Sequence, residues 1–577
     1  MSRYLFTTMP ATGHVVPMLA IARELSARGH EIHWYTGAVY REQIEATGAV
    51  HHPIRSAEDF GGQAIGEAFP ELLGLTGITM VRRAFQRIFI DNAEGMLRDC
   101  QAILADHPAD AILSEPLFIA ARWLHELGGP PWADLGETML CNYSRDTAPF
   151  GPGLFPLRGP VGQVRNRAMN TLHRRVVFAP VTAHYERARE RVGLPPLGQG
   201  FIDTFLGRYL YMQATVPSFE YPRRDLPAHV HYIGPLVVGP APSFQPPPWW
   251  SQVTDGRRVV LVTQGTVATD PRHLLAPTIQ ALAGEDLLVI ATSGGPTEPV
   301  IEALGGATPD NARIERFVPY AELMPHVDVL VTNGGYGTVQ LALSHGVPIV
   351  VAGATEDKPE NAARVAWSGT GIRIRDQSPA PERLREAVTT LLDDPSYAER
   401  AAAIGAEMRE YDAPRLGADL LEQLATAGAP VARDHLPVAP RTPVALSGLG
   451  TTLIVGLLAA FALNLTLRWL GETFLDVPKD MEALGLALLV PATILPVVGN
   501  CFGCYMSWRR PSPGSLNTFL VVAVVMTFVG IAISVSALPS GAAAGSVATM
   551  LAVSIAPTLV IVPALLRLVG EPRATLV

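Results

Sequence analysis

A chain of 577 residues is longer than one hydrophobic core can hold, so several domains are expected. Its net charge of −9 and pI near 5.9 argue against nucleic acid as a partner, because a phosphate backbone selects basic surfaces. Hydrophobic residues make up 48% of the chain, and a mean hydropathy of +0.22 is high for a soluble enzyme.

The chain opens with "RYLFTTMP", which reads as a buried strand. "PMLAIARELSARGH" follows as a helix with proline at its start and Gly29 past its end. "EIHWYTG" is then a second strand, and the pattern recurs at "ADAILSEPLFIAARWLHELG". The proline-rich run "GPAPSFQPPPWW" breaks the chain near its middle. After it the alternation restarts with "RRVVLVTQGT", "DLLVIATSGG", "DVLVTNGGYG" and "GVPIVVAG". Strands separated by helices predict mostly parallel sheets, giving an α/β fold of two Rossmann-like domains, at 1–238 and 251–425. A linker is expected over 426–444.

Four uncharged apolar windows follow, at 445–467, 484–506, 518–538 and 547–566. Each has the length needed to cross a bilayer, which predicts an all-α transmembrane four-helix domain over 445–568. Arg509 and Arg510 fall in the second connecting loop, and Arg567 and Arg573 follow the last window. That bias places both termini inside, on a multi-pass protein of the cell membrane with its α/β domains in the cytoplasm. The N-terminus has no apolar run of signal-peptide length. Cys100 and Cys141 are expected as cytoplasmic thiols, and Cys501 and Cys504 as small residues packing within the second span.

The segment "VLVTNGGYGT" (329–338) sets a turn of three glycines between a buried strand and a helix. Such a turn suits an anion, because helix N-terminal N–H groups are unpaired and glycines let a phosphate approach the backbone. No GxxxxGK[ST] run exists, so this is not a P-loop. Gly335 and Gly337 begin a GxG, but Gln340 occupies the third glycine position. No DxD pair occurs either, so no metal and no cofactor is expected at the site. Backbone N–H groups and polar side chains would hold the phosphates.

The run "RFVPYAELMPHVDVLVTNGGYGTVQLALSHGVPIVVAGATEDKPENAARV" (316–365) resembles the donor-binding signature of the UDP-glucuronosyl/glucosyltransferase superfamily. The likeness is greatest to bacterial macrolide and erythromycin-pathway sugar transferases, and it covers residues 1 to about 425. It implies a GT-B type fold, two Rossmann-like domains facing across a cleft, with a nucleotide-sugar donor that is expected to be UDP-linked. By that resemblance Phe317 stands where an aromatic stacks on the nucleobase. Asn333 stands where the family usually has a histidine on the α-phosphate. The turn at Gly335, Tyr336, Gly337 and Thr338 faces the diphosphate, and Thr266 bonds the other phosphate. Asp357 and Lys358 match an Asp-Gln pair on the sugar hydroxyls, and Asn361 a following asparagine. Leu341 departs from an acid that holds the ribose.

The same resemblance makes His14, in the loop after the first strand, the catalytic base. A pKa near neutrality suits a group that removes a hydroxyl proton. Its orienting acid is expected at Glu115, which replaces a usual aspartate. The implied reaction is an inverting, metal-independent transfer of a hexose to a hydroxyl. Residues 55–95 and 140–200 are expected to select the acceptor. The run 158–191 carries eight arginines against two glutamates, which fits either a solvated helical face or a membrane-facing patch. The fusion to four spans favours the patch and a hydrophobic or lipid acceptor, the alternative being a soluble secondary metabolite with the spans as an anchor only. The other classes considered are a membrane transporter and a non-catalytic module that senses a sugar nucleotide. No charged residue lies well inside any span, which disfavours ion-coupled transport.

Overall fold

The computed structural model describes residues 1–157, 159–237, 244–265 and 270–433. Thr266, Cys501, Cys504 and the four apolar windows lie outside the described residues. Among the described residues, no helix is long and apolar enough to cross a membrane.

Among the described residues, thirteen strands form two parallel sheets. The first contains β1 (Arg3–Thr7), β2 (Glu31–Thr36), β3 (Val50–Pro53), β4 (Ala111–Ser114), β5 (Trp132–Gly136), β6 (Leu210–Gln213) and β7 (Val230–Tyr232). Its strand order is β3-β2-β1-β4-β5-β6-β7. The second contains β8 (Arg258–Thr263), β9 (Leu287–Thr292), β10 (Ala312–Glu315), β11 (Val329–Thr332), β12 (Ile349–Ala352) and β13 (Gly371–Ile374), in the order β10-β9-β8-β11-β12-β13. Runs such as Val-Val-Leu-Val in β8 are apolar at every position because helices cover both faces of the sheet. In each sheet the order reverses beside the first strand, between β1 and β4 and between β8 and β11. Those switch points open the crevices in which ligands of doubly wound sheets bind.

The first helix differs from its expected position. It runs from Thr12 to Ala27, so Pro17 lies inside it and His14 sits in its first turn rather than in a loop. A proline at this place lacks only the N–H that would bond the Gly13 carbonyl, and the chain before it still closes a turn through His14 N–H to Ala11 O at 3.0 Å.

The last described helix, Ala413–Ala427, returns to the first domain. Ala418, Leu421 and Leu424 join Ile21, Ala22 and Leu25 in one core cluster beneath β1 and β2. Arg28 clamps it through Asp419 at 2.6 Å and Glu422 at 3.0 Å. The chain beyond it remains attached, with Val431 N–H bonding Tyr209 O at 2.8 Å. Residues 413–433 therefore complete the first domain, and the expected boundary at 425 falls inside a helix whose apolar face closes the first sheet.

Four arginines of 158–191 are engaged within the protein. Arg189 is buried and bonds Pro195 O and Glu126, Arg165 bonds Phe155 O, and Arg174 and Arg191 pair with Asp203 and Glu94. Arg167, Arg175 and Arg187 stay exposed, so a basic face remains on this segment beside the paired charges.

Candidate active site

The crevice of the first sheet is built from ionisable side chains. β4 ends at Ser114, and the next residue, Glu115, turns beneath the first helix with no exposure. Its Oε1 accepts the Met9 N–H at 3.2 Å and its Oε2 accepts the Leu117 N–H at 2.7 Å. Oε1 also lies 3.1 Å from His14 Nδ1. A second carboxylate shares that nitrogen: Glu137 Oε1 is 3.0 Å away. Glu137 is the first residue after β5, the strand beside β4, so adjacent strand ends deliver both acids. "WADLGET" carries the signal that pointed to Glu115, an acid directly after a buried strand, and Glu137 could have been found by it.

With both carboxylates on Nδ1, the imidazole is oriented so that Nε2 is the nitrogen left for an acceptor. Burial alone would lower the His14 pKa, but Glu115 and then Glu137 outweigh it and hold the imidazolium well above its usual range. Burial raises the Glu137 pKa, and the neighbouring Glu115 carboxylate raises it further. Its Oε2 is buried without a hydrogen-bond partner. The ligand atoms of His14, Glu115 and Glu137 lie within 4.8 Å of one another, close enough for a cation. Both Glu115 oxygens are already taken by backbone N–H groups, which favours the hydrogen-bonding role.

The crevice of the second sheet is built from backbone. β11 leads into Asn333 and Gly334, whose φ of 98° requires glycine. Gly335 caps the helix Tyr336–Ser344, whose first bond runs from Val339 N–H to Gly335 O at 3.1 Å. The N–H groups of Tyr336, Gly337 and Thr338 precede that bond and carry the positive end of the helix dipole. A Cβ added at Gly335 or Gly337 would meet open space, so a ligand can approach the turn directly. Asn333 is buried and its amide donates to the Gln264 carbonyl, bridging the ends of β8 and β11. Phe317 is 72% exposed in the loop after β10, leaving its ring free to stack. Leu341 packs against the core of this half.

The remaining predicted residues separate into two roles. Asp357 faces the first domain: Thr138 donates to its Oδ2 at 2.8 Å, and burial raises its pKa. Asn361 is an internal brace, donating to Gly334 O at 2.9 Å and to Asp357 Oδ2 at 2.9 Å. Lys358 is only 5% exposed and its Nζ pairs with Glu356 at 2.5 Å. It lines a small cavity with Gln264, Asn333 and Gly353.

Buried polar contacts join the two halves. Gln213 donates to Tyr336 OH at 3.1 Å and Thr215 to Gln340 at 2.9 Å. Arg364 reaches Glu220 at 2.6 Å and Glu360 at 3.2 Å, and its guanidinium lies 4.2 Å over the Tyr221 ring. Apart from the i,i+4 pair of Arg364 with Glu360, none of these contacts is visible from local spacing, since more than a hundred residues separate the partners.

The family described as erythromycin biosynthesis protein CIII-like, C-terminal domain, matches residues 281–424. The chain is 46% identical over 424 residues to 4'-demethylrebeccamycin synthase of Lentzea aerocolonigenes, covering 73% of this chain and 99% of that protein. It is 33% identical over 437 residues to UDP-glycosyltransferase 2 of Phaeomoniella chlamydospora, covering 73% and 96%. The crystal structure of the calicheamicin glycosyltransferase CalG4 matches 74% of this chain and 100% of its own with a TM-score of 0.58, at 21% identity. Two parallel α/β domains, a histidine–carboxylate group at the switch point of the first sheet, a glycine turn at that of the second and these likenesses agree: the chain belongs to the nucleotide-sugar-dependent glycosyltransferases of the GT-B fold.

Proposed function

We propose that the protein transfers a hexose from a UDP-linked donor to a hydroxyl of a hydrophobic acceptor, with inversion and without a metal, in antibiotic-type secondary metabolism. The observation that carries this reading is His14, held by Glu115 and Glu137 on one nitrogen, at the crevice that faces the glycine turn. His14 Nε2 takes the acceptor proton as the acceptor oxygen bonds to the anomeric carbon. The bond from that carbon to the diphosphate oxygen breaks, and the nucleotide diphosphate leaves with the electron pair. The N–H groups at 336–338 meet the departing charge, with Asn333 and Lys358 beside them. One displacement inverts the anomeric centre.

The apolar character of the acceptor is supported by Leu73, Ile78, Val164, Leu172 and Val176, large side chains exposed in the two segments expected to select it. The name of the Lentzea relative supports a secondary metabolite, and that of the Phaeomoniella relative supports UDP. Multi-pass attachment to the cell membrane rests on the four apolar windows at 445–566.

The test is turnover by the full-length protein with UDP-glucose, UDP-glucuronate and a dTDP-hexose, against a panel of apolar phenols and alcohols. Nucleotide release and the product's anomeric configuration are read together, with and without EDTA. A product that retains configuration overturns single displacement, and a rate lost in EDTA and restored by Mg²⁺ overturns metal independence. Resistance of the protein to carbonate extraction from membranes tests the attachment.

A further inference from the structure

Three histidines that play no part in glycosyl transfer meet toward the amino-terminal end of the first sheet. His33 lies on β2, His52 on β3 and His107 just past the helix Asp91–Asp106. His33 pairs with Val50 and Tyr35 with His52, so the period-2 alternation of strands sets His33 and His52 on the same face. One ring nitrogen from each of the three histidines lies within 4.8 Å of the others. His33 Nδ1 is 2.8 Å from His52 Nε2, and the His33 and His107 rings stack with centroids 4.1 Å apart. On its far side His33 Nε2 is 2.9 Å from Glu31 Oε1.

We propose that His33, His52 and His107 bind one divalent transition-metal ion of the zinc class, with Glu31 orienting His33. Imidazole nitrogens suit zinc, nickel and copper, whereas the hard cations calcium and magnesium take oxygen. Zn–N bonds of about 2.0–2.1 Å place tetrahedral ligand atoms about 3.3 Å apart. The 2.8 Å pair needs only a small widening, and the third nitrogen a modest approach. His107 must also turn its ring, because stacked imidazoles point their lone pairs in parallel. It is exposed and stands outside the helix at φ −131°, so its stack on His33 is the main contact that rotation gives up. Glu31 accepting from the other nitrogen of His33 gives the carboxylate–histidine–metal arrangement that fixes tautomer and raises ligand basicity. The fourth position faces solvent. The ion ties the edge strand β3 and β2 to the end of a core helix, and it takes no part in sugar transfer.

The site is distinct from the other cation-sized group, His14 with Glu115 and Glu137. The experiment removes metal from the full-length protein with a chelator, then titrates Zn²⁺ and, separately, Co²⁺. Wild type should bind one equivalent of zinc, give the visible absorption of tetrahedral Co²⁺, and melt at a higher temperature with zinc than without. His52→Gln and His107→Gln should each weaken zinc binding by about 100-fold or more, and Glu31→Gln by about tenfold. His107 is exposed, so its variant tests the site without disturbing the core. Zinc uptake unchanged in His107→Gln and His52→Gln would overturn the proposal. So would uptake lost in His14→Ala alone, or a chelated wild type that takes up no zinc.

Discussion

At the carboxyl end of the first sheet the site consists of an imidazole and two buried carboxylates; at the carboxyl end of the second it consists of peptide N–H groups, glycines and one exposed ring. The first must move a proton, so it needs groups whose proton affinity depends on their neighbours, and Glu115 and Glu137 supply that to His14. The second meets a charge that arrives with the ligand and stays ionised. Fixed dipoles and open space over Gly335 and Gly337 suffice for it. Chemistry and donor affinity should therefore separate cleanly by domain.

His14→Ala puts that separation at greatest risk. It should lower kcat by about 10²–10⁴ while the Kd for UDP, measured by calorimetry, stays within about twofold. A matching loss of UDP affinity would mean that the base also shapes the donor site. Next in size is Arg364→Ala. The guanidinium is buried between Glu220 of one half and Glu360 of the other, and its removal leaves both buried carboxylates without their cation. The loss in urea unfolding should be about 3–5 kcal/mol. An unchanged midpoint would show that the halves are stable apart.

Asp134 sharpens the contrast from the first domain alone. Burial, opposed by the Trp132 N–H and reinforced by Glu115, pushes its pKa up to about 8. An acid whose folded pKa is raised favours the protonated form in the native state. The unfolded chain then binds fewer protons, so stability falls as pH rises from about 4 to about 8 and is level above that. Asp134→Asn should be close to neutral at pH 4 and stabilising by about 2 kcal/mol at pH 8. Denaturant titrations at the two pH values give the difference, and a variant less stable at pH 8 than wild type would reverse the sign.

What the sequence revealed divides along the same line. Alternating apolar runs and glycine turns are local, so both sheets and the turn at 333–338 were legible, as was His14 beside its strand. Contacts across the cleft were not. Glu137 shares a nitrogen with His14 only because β4 and β5 are neighbours, a fact of strand order rather than spacing. The position of Pro17 suggested a helix start, but the chain closed a turn earlier and carried His14 onto the helix. The partners of Arg165, Arg189 and Arg191 were equally hidden, because those carboxylates and carbonyls lie on other segments.

A smaller effect is expected at Glu137. The base must be neutral to act, so kcat/KM should rise with pH through an apparent pKa above the usual histidine range. Glu137→Gln removes one of the two carboxylates that favour the imidazolium, and the limb should move to lower pH by about one unit. The pH profile of kcat/KM decides it. A limb that stays in place would assign the whole shift to Glu115.

The smallest expected change concerns Lys358, one of only two lysines among 44 basic residues. A chain that uses arginine for nearly every positive charge places here a compact, buried ammonium. Its partner Glu356 is held at φ 57°, a conformation that few residues other than glycine adopt. Asp357, one residue earlier, turns instead toward Thr138 of the first domain. The two side chains that the family signature pairs on the sugar have no partner in common, and Lys358 shares its cavity with Asn333. Its charge stands where a neutral asparagine replaces the signature's histidine, so it should serve the diphosphate more than the sugar. Lys358→Gln should then lower kcat/KM by about tenfold and equally for UDP-glucose and UDP-glucuronate, with a parallel weakening of UDP inhibition. A ratio between the two donors that changes in the variant, with UDP inhibition untouched, would return Lys358 to the sugar and leave the phosphates to the backbone alone.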